Sequence, residues 1–316
     1  MKNFRLIPPN TKLSFVEKRL FYFIFSAFLV LGSLMLYMVK GLNFGIDFKG
    51  GILVEVRGPT PFDLGHLRGR LNDLELGDVA IQEFGQPSDV LIRIQRQDGS
   101  DDAQQQTIKK LKEMLGNEVD YRRIEFVGPK VSEELLHDGM MAVLFAIGAI
   151  LIYIWFRFEW QFGIGAVIAL SHDVLSTIGL FSLIEHEFNL ATVAAVLTIA
   201  GYSINDTVVV YDRVRENIRK YKTLNLADLF NLSINETLSR TVMTSLTTLI
   251  ALFALYSLGG EVIRDFALAM IWGVLIGTYS SICLAVPLLL YMKIDRGAPG
   301  GLGGGEEGTG YATSTK

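Results

Sequence analysis

Six apolar runs recur along the chain, at residues 20–39, 140–156, 162–184, 190–211, 241–258 and 266–292. Each is long enough to cross the ~30 Å hydrocarbon core of a bilayer as a helix. The fourth is broken by polar residues. "LATVAAVLTIA" leads directly into "GYSINDTVVVYDRVREN", which sets Asn205 and Asp206 side by side within a predicted membrane helix. Between the first two runs the pattern changes. "GILVEVRG" reads as a strand, and "PFDLGHLRGRLNDLEL" as a helix with Leu64, Leu67, Leu71 and Leu74 on one face. "DVAIQEF" and "VLIRIQR" read as strands joined by a turn containing Gly85 and Pro87. "DDAQQQTIKKLKEML" reads as a helix that Asp101 and Asp102 cap, and "YRRIEFVG" as a last strand. The order β-α-β-β-α-β is that of a ferredoxin-like domain.

The predicted fold class is therefore an α-helical polytopic membrane protein of six transmembrane helices, with a small α+β ferredoxin-like extracytoplasmic domain. The expected divisions are a cytoplasmic N-terminus at 1–19, a first span at 20–39, the extracytoplasmic domain at 40–138 and the remaining five helices at 139–292. A flexible Gly-rich tail follows at 293–316. The linker at 220–240 has Leu226, Leu229 and Phe230 on one face and predicts an amphipathic cytoplasmic helix.

Charge settles the expected orientation. Lys2, Arg5, Lys12, Lys18 and Arg19 precede the first span, and Arg213, Arg215, Arg219, Lys220, Lys222 and Arg240 lie between the fourth and fifth. Lys293 and Arg296 follow the sixth, whereas the loop at 185–189 has no Lys or Arg and that at 259–265 has only Arg264. The positive-inside rule places both termini in the cytoplasm. The first span is read as an uncleaved anchor, since no small-residue cleavage site follows it. The single cysteine, Cys283, permits no internal disulfide. There is no phosphate-binding loop of the G-x-x-x-x-G-K-[ST] type and no metalloprotease or serine-hydrolase motif. Any energy input is thus expected from outside the chain or from an ion gradient. No metal and no cofactor other than a proton gradient is expected, because Glu185, His186 and Glu187 read as a solvated loop.

The chemistry lies in the polar residues within the spans. Ionisable groups in hydrocarbon are costly, face the bundle interior and mark ion or substrate paths. Asp206, with Asn205 and Thr207, lies in the inner half of the fourth span. Arg240 lies at the inner end of the fifth, from which its side chain can reach toward Asp206. Thr244 and Thr248, with Thr247, continue the face above it and could hold waters. Two readings stay open, a proton relay and a static buried ion pair that fixes helix register. His172 and Asp173 in the third span are additional candidates. Gly273, Gly277 and Ser281 form a small-residue row suited to close helix packing. Asp212 and Arg213 read as solvated charges at a helix end.

"NFGIDFKGG", "AGYSINDTVVVYDRVREN", "NETLSRTVMTSLTTL" and "GTYSSI" together resemble the motifs of the SecD/SecF family of bacterial protein-export membrane subunits, on its SecF side. The resemblance covers roughly residues 1–293. It implies half of an arrangement like that of RND transporters, completed by a SecD-like subunit, in the bacterial inner membrane. It implies assistance to the SecYEG channel, with YajC and YidC as further associates. The proton-motive force would help draw translocating preproteins outward as the external domain changes orientation. The family's proton-pathway acid falls on Asp206 and its arginine on Arg240. No nucleic-acid partner is implied. Two other functions compete: half of a proton-driven small-molecule exporter, for which the external segment is small, and an intramembrane aspartyl protease using Asp173 and Asp206. For the protease the G-x-G-D context is missing.

Overall fold

The computed structural model describes residues 8, 11–74, 76–77, 79–84, 86–95, 101–116, 118–259, 261–292 and 294. The first span is α1 (Arg19–Lys40), followed by β1 (Asn43–Phe44) and the single turn α2 (Ile46–Lys49). The small domain comprises β2 (Gly51–Arg57), α3 (Leu64–Asn72), β3 (Val79–Phe84), β4 (Gln86–Ile94), α4 (Asp101–Leu115) and β5 (Asp120–Val127). The chain returns to the membrane in α5 (Pro129–Arg157), then α6 (Trp160–Ile184), β6 (Glu187–Phe188), α7 (Leu190–Lys220) and α8 (Leu226–Leu258). The last span starts as α9 (Glu261–Tyr279), becomes π-helical at Ser280–Ala285 and ends in α10 (Val286–Leu288) and a 3₁₀ turn. Six helices thus have the length and apolarity to cross a membrane. The predicted termini fall mostly outside the described residues, as do Gly85 and the side chains of Asp101 and Asp102.

The sheet order is β3-β4-β2-β5 with every neighbour antiparallel, the arrangement of a ferredoxin-like fold. Alternation divides β2 between two faces. Ile52, Val54 and Val56 join Val90, Ile92 and Ile94 of β4 against Leu67, Leu71 and Leu111 of the two helices. Full burial of such a side chain contributes about 1.5–3 kcal/mol. Leu53 and Glu55 face the other way, toward the ends of the membrane helices nearest the sheet. There they line a cavity of ≈ 230 Å³ with Arg123, His186, Glu187 and Asp265.

The membrane helices pack in two tiers. Phe181, Ala195, Ile199, Leu252, Met270 and Val274 fill the tier nearer the sheet. Phe158, Phe162, Tyr211, Val214, Phe230 and Leu289 fill the far one. Lipid is as apolar as these side chains, so close packing and interhelical hydrogen bonds must supply the association. Phe28, Met38, Trp155 and Phe156 point outward from α1 and α5, as a lipid-facing surface requires.

Four boundaries differ from the pattern-based expectation. α5 starts well before residue 140, because Gly128 precedes it and Pro129 suits a first helical turn. The amphipathic segment at 226–240 is not a separate helix. It is continuous with the fifth span, because Asn225 caps its start and no Gly or Pro interrupts it before Gly259. Leu229 and Phe230 are fully buried in the far tier. Pro87 lies within β4 rather than in the turn, at an irregular end of the β3–β4 hairpin where it has no ladder partner. The last span is not a uniform helix. Pro287 has no N–H, which frees a carbonyl one turn earlier, and the backbone there is re-registered.

Candidate functional site in the membrane domain

α7 sorts its polar residues by angle. Ser203, Asp206, Thr207 and Val210, at i, i+3, i+4 and i+7, are buried against neighbouring helices, whereas Gly201 and Asn205 are exposed. Asp206 is only 6% exposed, and its Oδ2 has no hydrogen-bond partner among the described residues. The fully buried Thr241 of α8 adjoins it, with its hydroxyl close enough to bear on the Asp206 carboxyl.

Arg240 forms no salt bridge with Asp206 among the described residues, which does not favour the static ion-pair reading. It is exposed on α8, close enough for its charge to bear on Asp206 but in contact with no carboxylate among the described residues. The cause is rotational: successive helix residues lie about 100° apart, so burying Thr241 turns Arg240 outward. Thr244 and Thr247 share that exposed face. The hydroxyls of the Thr ladder donate within α8. Thr244 donates to the carbonyls of Arg240 and Thr241, Thr247 to Met243 and Thr244, and Thr248 to Thr244. Their hydrogens are spent on their own helix, and only lone pairs face outward.

A second polar cluster joins α6, α7 and the last span. Asp173 is fully buried; its Oδ2 accepts from Ser203 Oγ and, at 2.8 Å, from Ser280 Oγ. His172 Nδ1 lies 2.9 Å from Asp173 Oδ1. One turn further along, the Thr207 and Ser281 hydroxyls are 2.8 Å apart. Ser281 thus lies beside the site, and the rest of its small-residue row fits the same helix. A Cβ at Gly273 would overlap the Ile199 side chain, and one at Gly277 would come within 3.3 Å of Ser203 Cβ. No hydrogen bond joins Asp173 to Asp206 among the described residues.

Several partners escaped the sequence reading. Ser245 bridges Tyr202 Oη at 3.3 Å and Thr278 Oγ1 at 2.6 Å. Its place one turn after Thr241 carried no signal by itself, because the burial of Thr241 is set by packing. The loop before α7 is not simply solvated. His186 Nε2 is 2.6 Å from Asp265 Oδ1, Arg93 of β4 donates to Glu187 at 2.9 Å and to Asn43 at 2.8 Å, and Lys40 meets Glu185. Asp265 raises the His186 pKa above its ordinary value, and burial raises that of Glu187. At the opposite end Asp212 pairs with Arg157 at 2.6 Å, and Arg213 with Glu216 and Glu236. These charges are interfacial but not free. No group of three or more potential metal ligands occurs among the described residues.

This fold and its buried carboxyls define a polytopic helical membrane protein bearing a small α+β domain. Residues 106–295 match the family described as protein export membrane protein SecD/SecF, C-terminal, and residues 38–57 match the SecD/SecF GG motif. A protein translocase subunit SecF from Cereibacter sphaeroides is 47% identical over 304 residues, covering 93% of this chain and 94% of that protein. The crystal structure of SecDF from Thermus thermophilus superposes with a TM-score of 0.82 at 38% identity. A crystal structure of SecDF in a super-membrane-facing form superposes at 0.66 and 37% identity. Each alignment covers 90% of this chain but 39% of the SecDF chain. The chain belongs to the SecD/SecF family of protein-export membrane proteins.

Proposed function

We propose that this chain is an accessory subunit of the Sec translocase that works with a SecD-like partner to promote polypeptide export through SecYEG, driven by the proton-motive force. It sits in the bacterial inner membrane with both termini cytoplasmic, and YajC and YidC are further associates. The transmembrane residues Asp206 and Arg240 form the relay, with Asn205, Thr207, Thr244 and Thr248 around them. Proton uptake and release are coupled to movement of the periplasmic domain.

The observation that carries this reading is Asp206 itself. A buried carboxyl in a membrane helix, with one oxygen unpartnered, is an expensive arrangement that serves a packing role poorly. The partner is supported by the polar face beside it. Gly201, Asn205, Arg240 and Thr244 are exposed at membrane depth, where a charged and amide-bearing surface needs protein or water rather than lipid. The match covers 39% of the SecDF chain, and the remainder of that chain is the kind of partner proposed here. The different superposition of the two SecDF forms fits a family that changes arrangement.

The energetics are adequate. One proton moving down about 100 mV and about one pH unit supplies roughly 2.3 plus 1.4 kcal/mol. That falls short of the ~5.5 kcal/mol needed for a complete two-state flip, so the coupled states must already lie close in energy. The test is precursor export into membrane vesicles with an imposed proton gradient. Asp206→Asn and Arg240→Met should insert normally and lose proton-dependent stimulation. Normal export by both variants overturns the mechanism.

A further inference from the structure

We propose that Asp173 is a positioning residue: its carboxyl clamps α6, α7 and the π-helical segment together, setting the rotation and depth of Asp206 without carrying the transported proton. The assignment rests on the relay reading of Asp206.

The two buried acids differ in how they are held. Both oxygens of Asp173 are occupied, Oδ1 by His172 and Oδ2 by Ser203 and Ser280, and the residue is fully buried. Asp206 has an unpartnered oxygen and lies next to the exposed polar face. A group that trades protons needs a route to solvent: Asp206 lies beside the exposed polar face, whereas Asp173 is fully enclosed with both oxygens hydrogen-bonded.

The clamp acts on the right helices. Ser203 precedes Asp206 by three residues and shares its face, so holding the Ser203 hydroxyl fixes the azimuth of Asp206. The other hydroxyl held by the same oxygen belongs to Ser280, the first residue of the π-helical stretch. The Thr207–Ser281 contact forms a second rung, one turn on in α7 and one residue on in the last span. Gly277 lets the two helices approach at this level, with a Cβ there only 3.5 Å from Asp173 Oδ2. Short π-helical stretches have weaker intrinsic register and occur frequently at functional sites. A side chain from a third helix that pins two helices at once supplies the missing register.

The test separates a clamp from a proton carrier. Asn keeps a carbonyl oxygen able to accept from both serines but cannot carry a proton. In vesicles holding the chain with its SecD-like partner, Asp173→Asn should keep proton-dependent stimulation within about threefold of the parent. Asp173→Leu, and the double variant Ser203→Ala/Ser280→Ala, should lose about tenfold, the effect of unmaking one buried hydrogen-bond set. In the isolated chain with Cys283→Ala, the maleimide labelling rate of Asn205→Cys reports the rotation of α7. It should be unchanged by Asp173→Asn and shifted by the other two. Should Asp173→Leu fail to insert, the serine double variant decides. A dead Asp173→Asn with unchanged labelling makes Asp173 a proton carrier and overturns the proposal. Unchanged labelling and stimulation in the serine double variant overturns it as well. If Asp206→Asn keeps full stimulation, the relay reading fails, and labelling alone still reports whether the clamp exists.

Discussion

Asp47 Oδ2 accepts the backbone N–H of Leu190 at 2.9 Å, so a residue of α2 caps the first turn of α7 from 143 positions away. The carboxylate sits at the positive end of the helix that carries Asp206, where capping and dipole effects add. Asp47→Ala is expected to destabilise the chain by about 1 kcal/mol. Exchange of the Leu190 amide should quicken by roughly fivefold, while Asp47→Asn restores most of the protection. Unaltered exchange in Asp47→Ala would show the cap to be energetically idle.

The seam between the sheet and the membrane helices should respond to pH. Asp265, hydrogen-bonded to His186, raises the His186 pKa above its usual ~6.5. A histidine whose pKa is raised by folding contributes stability that is complete below about 6.5 and is lost as pH rises through the higher folded value. Burial also raises Glu187, outweighing the lowering by Arg93. Its folded form holds a proton more tightly, which again favours the docked seam at lower pH. The signs agree, so the seam weakens as pH rises. Amide protection at 185–189, corrected for intrinsic rates, should fall between pH 6 and pH 8. His186→Ala should flatten that dependence. Protection that rises with pH would reverse the assignment.

Arg240 makes no carboxylate contact among the described residues, so its removal should not unsettle the fold. In detergent, Arg240→Met is expected to alter stability by no more than about 0.5 kcal/mol, as for a surface change. Its cost should appear only when the chain is assembled with its partner. A large fall in the thermal midpoint of the isolated chain would mean that Arg240 is held within it.

Gly50 and Gly51 have φ of 70° and 120°, a stretch of backbone that turns α2 into β2. Side chains are strained there, so Gly51→Ala should cost about 1–3 kcal/mol. Thermal unfolding in detergent reads the loss, with Gly148→Ala, at a helix position with open space, as a near-neutral control. Equal midpoints for the two variants would remove the backbone explanation of this pair.

The spans and the small domain were legible because both rest on periodicity. Twenty apolar residues announce a helix in lipid, and alternation around Glu55 announces a strand. Asp206 was legible because its cost in hydrocarbon singles it out. The rotation of Arg240 was not, since it depends on which of two adjacent residues, Arg240 or Thr241, the neighbouring helices bury. The same holds for Asp173, whose partners Ser203 and Ser280 lie 30 and 107 positions away and meet it only through packing. The continuity of α8 could have been read from the absence of Gly and Pro between 226 and 258. The change from hydrophilic to hydrophobic composition masked it. The π-helical stretch before Pro287 was announced by that proline, but its extent is set by the hydroxyls that hold it.

The single helix α5 runs for 29 residues from Gly128, at the end of the sheet, to the far face of the membrane domain. At 1.5 Å per residue it is a rod of about 44 Å. A pivot of about 5° at its inner end would therefore carry β5 sideways by roughly 4 Å. Helix and sheet are joined by one residue, so a tilt of α5 within the membrane domain is carried to the sheet without a separate hinge.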